Sequence, residues 1–258
     1  MNKAIYIATG EPESGKSLIT LGLLRIILGR TKRVGYFRPI IENLVNGEKD
    51  NHIDTVLSHF NLDMSYEECY ALTVQDVIQM KIDDKEEDIV DLIFKKYKEL
   101  EERFDFILLE GTDFSGEAAF VELDLNAIIA KNLGAPVILV GTGKGKTDEE
   151  LISNLHLAYD SFVEKEVRVL GVIANKVESE NLPRMEEAIS EKLSDEIFVA
   201  AIPLINSLFN PTIKEIVYEI GAELVLGDDQ VNNQVESFAV GAMQLRNFVT
   251  ELTGECLG

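Results

Sequence analysis

The sequence predicts an α/β protein: a doubly wound, mostly parallel sheet flanked by helices. Short β-branched runs alternate with longer segments of helical period along its 258 residues. Several runs are apolar throughout, as expected of parallel strands covered on both faces. The segments joining them are long enough to be crossover helices. Hydrophobic residues make up 46% and charged residues 27%, a composition that can build a core.

Strands are expected at Lys3–Thr9, Arg33–Arg38, Phe104–Glu110, Pro136–Thr142, Val167–Asn175 and Ile197–Pro203. Helices are expected at Gly15–Leu28, His52–Phe60, Thr73–Met80, Asp84–Glu102, Leu123–Leu133, Thr147–Val163 and Pro183–Leu193. In the fourth of these, Ile89, Leu92, Ile93, Phe94 and Leu100 form an inner stripe, and the charges around them form a solvated face. Thr147 is placed to cap its helix, with Glu150 closing a capping box. A ligand belongs beyond the carboxyl ends of such strands.

The texture changes after Pro203. Residues 1–205 read as one domain. Residues 206–258 read as a second domain cut short or a small appendage, because about 50 residues are marginal for an independent core. There a helix is expected at Thr212–Ile220, a strand at Ala222–Leu226, a turn at Gly227–Asp229 and a helix from Gln230.

Charge excludes some classes. Asp and Glu number 46 against 24 Lys and Arg, a net charge of −22. Nucleic acids and anionic membranes need clustered positive charge, so neither is an expected partner. A small basic pocket for one phosphorylated ligand remains compatible. Cys69 and Cys256 form no CxxC, and His52, His59 and His156 show no metal-ligand spacing. His52 and His59 read as surface or satisfied core residues. No apolar run suits a leader or a membrane span, and a cytoplasmic location is expected.

The sharpest motif is Gly10-Glu11-Pro12-Glu13-Ser14-Gly15-Lys16-Ser17, a GxxxxGK[ST] loop between an apolar strand and a helical segment. That context predicts the P-loop NTPase fold. The loop lets successive N–H groups point at phosphate oxygens, and the helix start adds its positive end. Gly10, Glu13, Ser14, Gly15, Lys16 and Ser17 are therefore the expected phosphate-binding residues. Lys16 would reach the β- and γ-phosphates, and the Ser17 hydroxyl would ligate Mg²⁺. Glu11 and Glu13 would repel a polyphosphate unless they point outward.

Glu110 stands at the carboxyl end of a strand, where a Mg²⁺ ligand or water-orienting group belongs. If ATP is hydrolysed, Lys16 and Glu110 are the catalytic candidates. Asp50 would complete the metal shell or else serve only to start a helix; Asp54 is a further candidate. Asn175 and Lys176 close a strand, either reading a purine edge or forming a turn. The cluster Gly141–Thr147 fails the phosphate-loop spacing; it reads as a capped loop, or as an anion contact through Lys144 or Lys146.

Thr9-Gly10…Gly15-Lys16-Ser17, Gly35–Ile40, Leu109-Glu110-Gly111 and Gly171…Asn175-Lys176 together resemble the dethiobiotin synthetase-like P-loop superfamily. Within it, the sequence is most similar to the N-terminal domain of long bacterial phosphate acetyltransferases. Pro211–Ile216 through Ala239–Met243 resembles the front half of the DRTGG-type domain that follows in those enzymes. The resemblance implies ATP or a related nucleotide with Mg²⁺, and a regulatory and assembly role. It also implies a homo-oligomer whose partner in the full protein is a C-terminal acetyl-transferring domain; without that domain this chain lacks the acetyl-transfer activity. Dethiobiotin synthetase carries a lysine where Arg38 stands, and Thr112-Asp113 replaces its small residue and paired glycines. Arginine stays protonated, so amine chemistry is not expected here, but Arg38 suits a carboxylate or phosphate of an effector. A stand-alone ATP-dependent ligase and an oligomerisation module with a vestigial loop are the competing expectations.

Overall fold

A computed structural model of the protein describes residues 3–42, 49–112, 119–194, 196–205, 208 and 210–236, without the side chains of 119–122. The chain forms two compact units, Met1–Leu204 and Ile205–Gly258.

In the first unit seven strands form one sheet in the order β3-β2-β4-β1-β5-β6-β7. They are β1 (Ala4–Thr9), β2 (Val34–Ile41), β3 (Tyr70–Thr73), β4 (Phe106–Glu110), β5 (Val137–Thr142), β6 (Val169–Val177) and β7 (Phe198–Pro203). Every pairing between them is parallel. The helices are α1 (Lys16–Leu28), α2 (Asn51–His59), α3 (Val74–Ile82), α4 (Glu86–Arg103), α5 (Ala119–Leu133), α6 (Asp148–Glu164) and α7 (Leu182–Ser190).

Strand alternation divides the core into two layers. Tyr6 and Ala8 of β1 face a layer built with α3 to α7, where Ile93, Leu100, Ala127, Leu155 and Phe162 are buried. Ile7 faces the opposite layer, closed by Ile19 and Leu24 of α1 and Ile53 and Val56 of α2. Both sheet faces are thus covered, which is why β1 and β5 read as largely apolar runs.

After β1 the chain runs out to β2 and β3, returns to β4, and then crosses β1 to β5. The switch in direction leaves a crevice at the carboxyl end of β1, between β4 and β5. That crevice positions the site.

Strand β3 was not expected. It has four residues, pairs only with β2, and passes at once into the Thr73 cap of α3, so no strand period develops. Its Cys69 neighbour is fully buried, and burial pushes the thiol up to about 12.

In the second unit the expected helix appears as α8 (Ile213–Glu219), with Thr212 and Glu215 forming a capping box. The strand expected at Ala222–Leu226 does not form: the segment joins no strand among the described residues, and Val225 and Leu226 are exposed. No helix starts at Gln230 either. Instead Asp228–Gln230 makes a 3₁₀ turn entered through Gly227 at φ 89°, and Gln234 bridges back to Thr212. The apolar residues predicted a pattern that no neighbouring strand among the described residues completes. The Ala239–Met243 stretch and Cys256 lie outside the described residues.

Candidate functional site

The loop 10–17 leaves β1 and enters α1 through two left-handed residues, Glu13 at φ 53° and Gly15 at φ 81°. Gly15 is required for a second reason: a Cβ there would stand 2.3 Å from Asn175 Nδ2. The start of α1 carries no side-chain cap and no acidic residue in its first turn. Its leading N–H groups therefore lack the carboxylate or hydroxyl that serves α2, α3 and α6. Ser14 is 1% exposed, and its hydroxyl meets no hydrogen-bond partner among the described residues. A buried hydroxyl and a bare helix start, side by side, form the cradle an anion completes.

Of the two acidic loop residues, Glu11 is held by groups at and beyond the end of β5. Glu11 Oε1 accepts from the Thr142 N–H at 2.8 Å, and Oε2 pairs with Lys146 and meets Asn154 Nδ2 at 3.4 Å. Its charge is spent on the end of β5. Glu13 is exposed. The repulsion expected from the Glu11 carboxylate is thereby relieved.

Lys16 is buried, and its ammonium donates to the Gly111 carbonyl beyond β4. Asn175 Nδ2 donates to the Ser14 carbonyl at 2.8 Å, and Lys176 Nζ donates to the Glu13 carbonyl. Both residues expected at the base thus brace the phosphate loop from β6. Lys144 lies near enough for its charge, after burial, to help depress the Lys176 ammonium. The Thr147–Glu150 capping box forms as expected: Glu150 N–H donates to Thr147 Oγ1 at 3.2 Å and Thr147 N–H to Glu150 Oε2 at 2.8 Å.

Glu110 ends β4 fully buried. Burial alone would raise its pKa, but the His52 hydrogen bond and the charges of Arg38 and Lys16 outweigh it and hold the carboxyl at about 2. Tyr36 OH donates to Glu110 Oε2 at 2.9 Å; burial, then the Glu110 charge, pushes the phenol well above its usual range, so it remains a donor. His52, on the first turn of α2, places Nδ1 2.7 Å from Glu110 Oε1 and 2.6 Å from Ser17 Oγ. His52 belongs to no motif and was expected at the surface or as a satisfied core residue; the register of α2 brings it here.

Arg38 and Asp50 meet each other. Arg38 Nη1 lies 2.7 and 2.6 Å from the two Asp50 oxygens, with both side chains buried. Asp50 Oδ1 also accepts from the His52 and Ile53 N–H groups, each at 3.0 Å, capping α2. Of the three residues expected to hold a metal, Ser17 and Glu110 are brought together through His52, while the Asp50 oxygens are taken by Arg38 and α2. A hydroxyl and an ionised carboxylate fit a hard cation that keeps water and phosphate oxygens as its other ligands. Among the described residues no three His, Cys, Asp or Glu side chains cluster to hold an ion without such help. No described helix is long and apolar enough to cross a membrane.

Comparison with known families matches residues 3–212 to the model described as an AAA domain. The chain belongs to that family. It is 35% identical over 262 residues to a phosphate acetyltransferase of Nitratidesulfovibrio vulgaris, covering 100% of this chain and 37% of that protein. Identity to the phosphate acetyltransferase of a Synechocystis species is also 35%, over 95% of this chain and 35% of that protein. The chain therefore spans little more than a third of these relatives. An ATP-dependent dethiobiotin synthetase of Clostridium perfringens is 22% identical over 81% of this chain and 93% of its own length. Among solved structures, the MinC:MinD cell division complex of Aquifex aeolicus superposes with a TM-score of 0.50 at 16% identity, over 81% and 84% of the two chains. That likeness shows the shared P-loop fold.

Proposed function

We propose that this chain is a nucleotide- or phosphometabolite-binding regulatory and assembly module of a phosphate acetyltransferase. The whole enzyme would convert acetyl-CoA and phosphate to acetyl phosphate and CoA, with that chemistry carried by a C-terminal acetyl-transferring domain. One observation carries the binding role: the uncapped start of α1 beside the buried Ser14 hydroxyl, which has no partner among the described residues. The loop amides would hold the phosphates, and Lys16 would exchange the Gly111 carbonyl for a phosphate oxygen. Mg²⁺, when bound, would supply positive charge between phosphate oxygens, with Ser17 and Glu110 as its protein ligands. Lys144 remains the candidate contact for an effector anion, and Asn175 and Lys176 for the base. Residues 206–258 would be the front part of a DRTGG-type domain, and the working form a cytoplasmic homo-oligomer.

The ligase reading draws on the match to nearly the whole of a dethiobiotin synthetase. Against it stands Arg38, which is 3% exposed and whose Nη1 is engaged by Asp50.

Calorimetric titration with ATP, ADP, GTP and phosphate in the presence of Mg²⁺ tests the proposal. Heat from at least one ligand, lost in Lys16→Ala, is expected. Silence from all four would leave a structural module with a vestigial loop.

A further inference from the structure

We propose that His52 is an inner ligand of the cation at this P-loop, and that it tunes the site toward transition metals over Mg²⁺. The inference rests on the nucleotide-and-metal role proposed above. Its evidence is geometric. A single ring nitrogen, Nδ1, stands 2.6 Å from the Ser17 hydroxyl and 2.7 Å from a Glu110 oxygen. That nitrogen has one in-plane direction, filled by either a proton or a lone pair, so it serves two oxygens poorly. A cation serves all three at once. Neighbouring ligands on an octahedral ion at about 2.1 Å stand roughly 3.0 Å apart, so the two contacts need widen by only about 0.3–0.4 Å. The cation would take the place of a proton.

The backbone holds the ring in place. Asp50 accepts the His52 N–H at 3.0 Å while fixed by Arg38, so the start of α2 is anchored to β2. The Asp50–Arg38 pair therefore acts on the metal through His52. Chemistry sets the selectivity. One nitrogen and two oxygens favour ions further along the divalent series than Mg²⁺, which prefers oxygen alone. Manganese is the probe of choice because it accepts both donor types and is paramagnetic.

Pulsed electron paramagnetic resonance on the protein with MnCl₂ and ADP reads the ligand directly. A ¹⁴N coupling of the size of a bound imidazole is expected in the wild-type chain and absent in His52→Asp. Titration of ADP should show tighter binding with MnCl₂ than with MgCl₂. His52→Asp, which makes the set all-oxygen, should narrow that preference by about tenfold. ADP that binds with Mn²⁺ but shows no nitrogen coupling in the wild-type chain would overturn the role of His52 and leave the nucleotide site standing. An unchanged Mn²⁺ preference in a folded His52→Asp would overturn the selectivity. Failure of ADP and ATP to bind with either cation would instead remove the nucleotide site itself, and this inference with it.

Discussion

Asn175 and Ser14 are 161 positions apart in sequence, and the Asn175 amide donates to the Ser14 carbonyl at 2.8 Å, tying the tip of the phosphate loop to the end of β6. Both residues are buried. Replacing Asn175 with Leu leaves that carbonyl buried without its donor. A loss of roughly 1–3 kcal/mol is expected, measured by urea denaturation. Nucleotide affinity should fall with it, because the loop loses a brace.

Gly15→Ala meets two obstacles, the left-handed φ of 81° and a Cβ placed 2.3 Å from Asn175 Nδ2. A destabilisation of about 1–3 kcal/mol is expected. Gly22 in α1 provides the control, since a Cβ there meets nothing within 4 Å. Gly22→Ala should stabilise the chain by about 0.5–1 kcal/mol. Opposite shifts of the melting temperature in the two variants check the pair.

The ion pair of Arg38 and Asp50 is buried on both sides. Arg38→Met strips the carboxylate of its cation while the α2 amides still hold it in place. Destabilisation of about 3–5 kcal/mol is expected. The double variant Arg38→Met, Asp50→Asn should recover part of it, which a denaturation cycle over the four proteins measures.

Glu110 predicts a limb in the acid stability profile. Its folded pKa of about 2 lies below the ordinary 4.5, so the unfolded chain takes up the proton first as pH falls. The contribution is fully present above pH 4.5 and is lost on descending toward pH 2. Glu110→Gln should flatten this part of the curve, read from urea midpoints between those limits.

Much of the sheet could be read from the sequence because burial on both faces leaves an unmixed apolar run, as in Val137–Val140. The phosphate loop was legible for a different reason: its chemistry depends on backbone conformation at fixed spacing, which glycines record locally. Thr147 and Glu150 were equally local, and their capping box formed as expected. What failed was whatever depended on a distant partner. Strand β3 exists because β2 offers it an edge, and Ala222–Leu226 has the residues of a strand without such an edge among the described residues. His52 gains its meaning only when α2 sets it against Ser17 and Glu110. Arg38 was expected to hold an anion, and Asp50 either to join a metal shell or to start a helix; folding places the two against one another, with Asp50 capping α2.

The seat of β1 between β4 and β5 has a thermodynamic consequence. A loop that springs from the middle strand of a sheet cannot loosen alone, since both flanking ladders must part before its root does. Ligand held at that root therefore raises the melting point of the entire sheet, by an amount that grows with the logarithm of free ligand. A thermal shift scan across small phosphorylated compounds becomes a direct survey of what the crevice recognises.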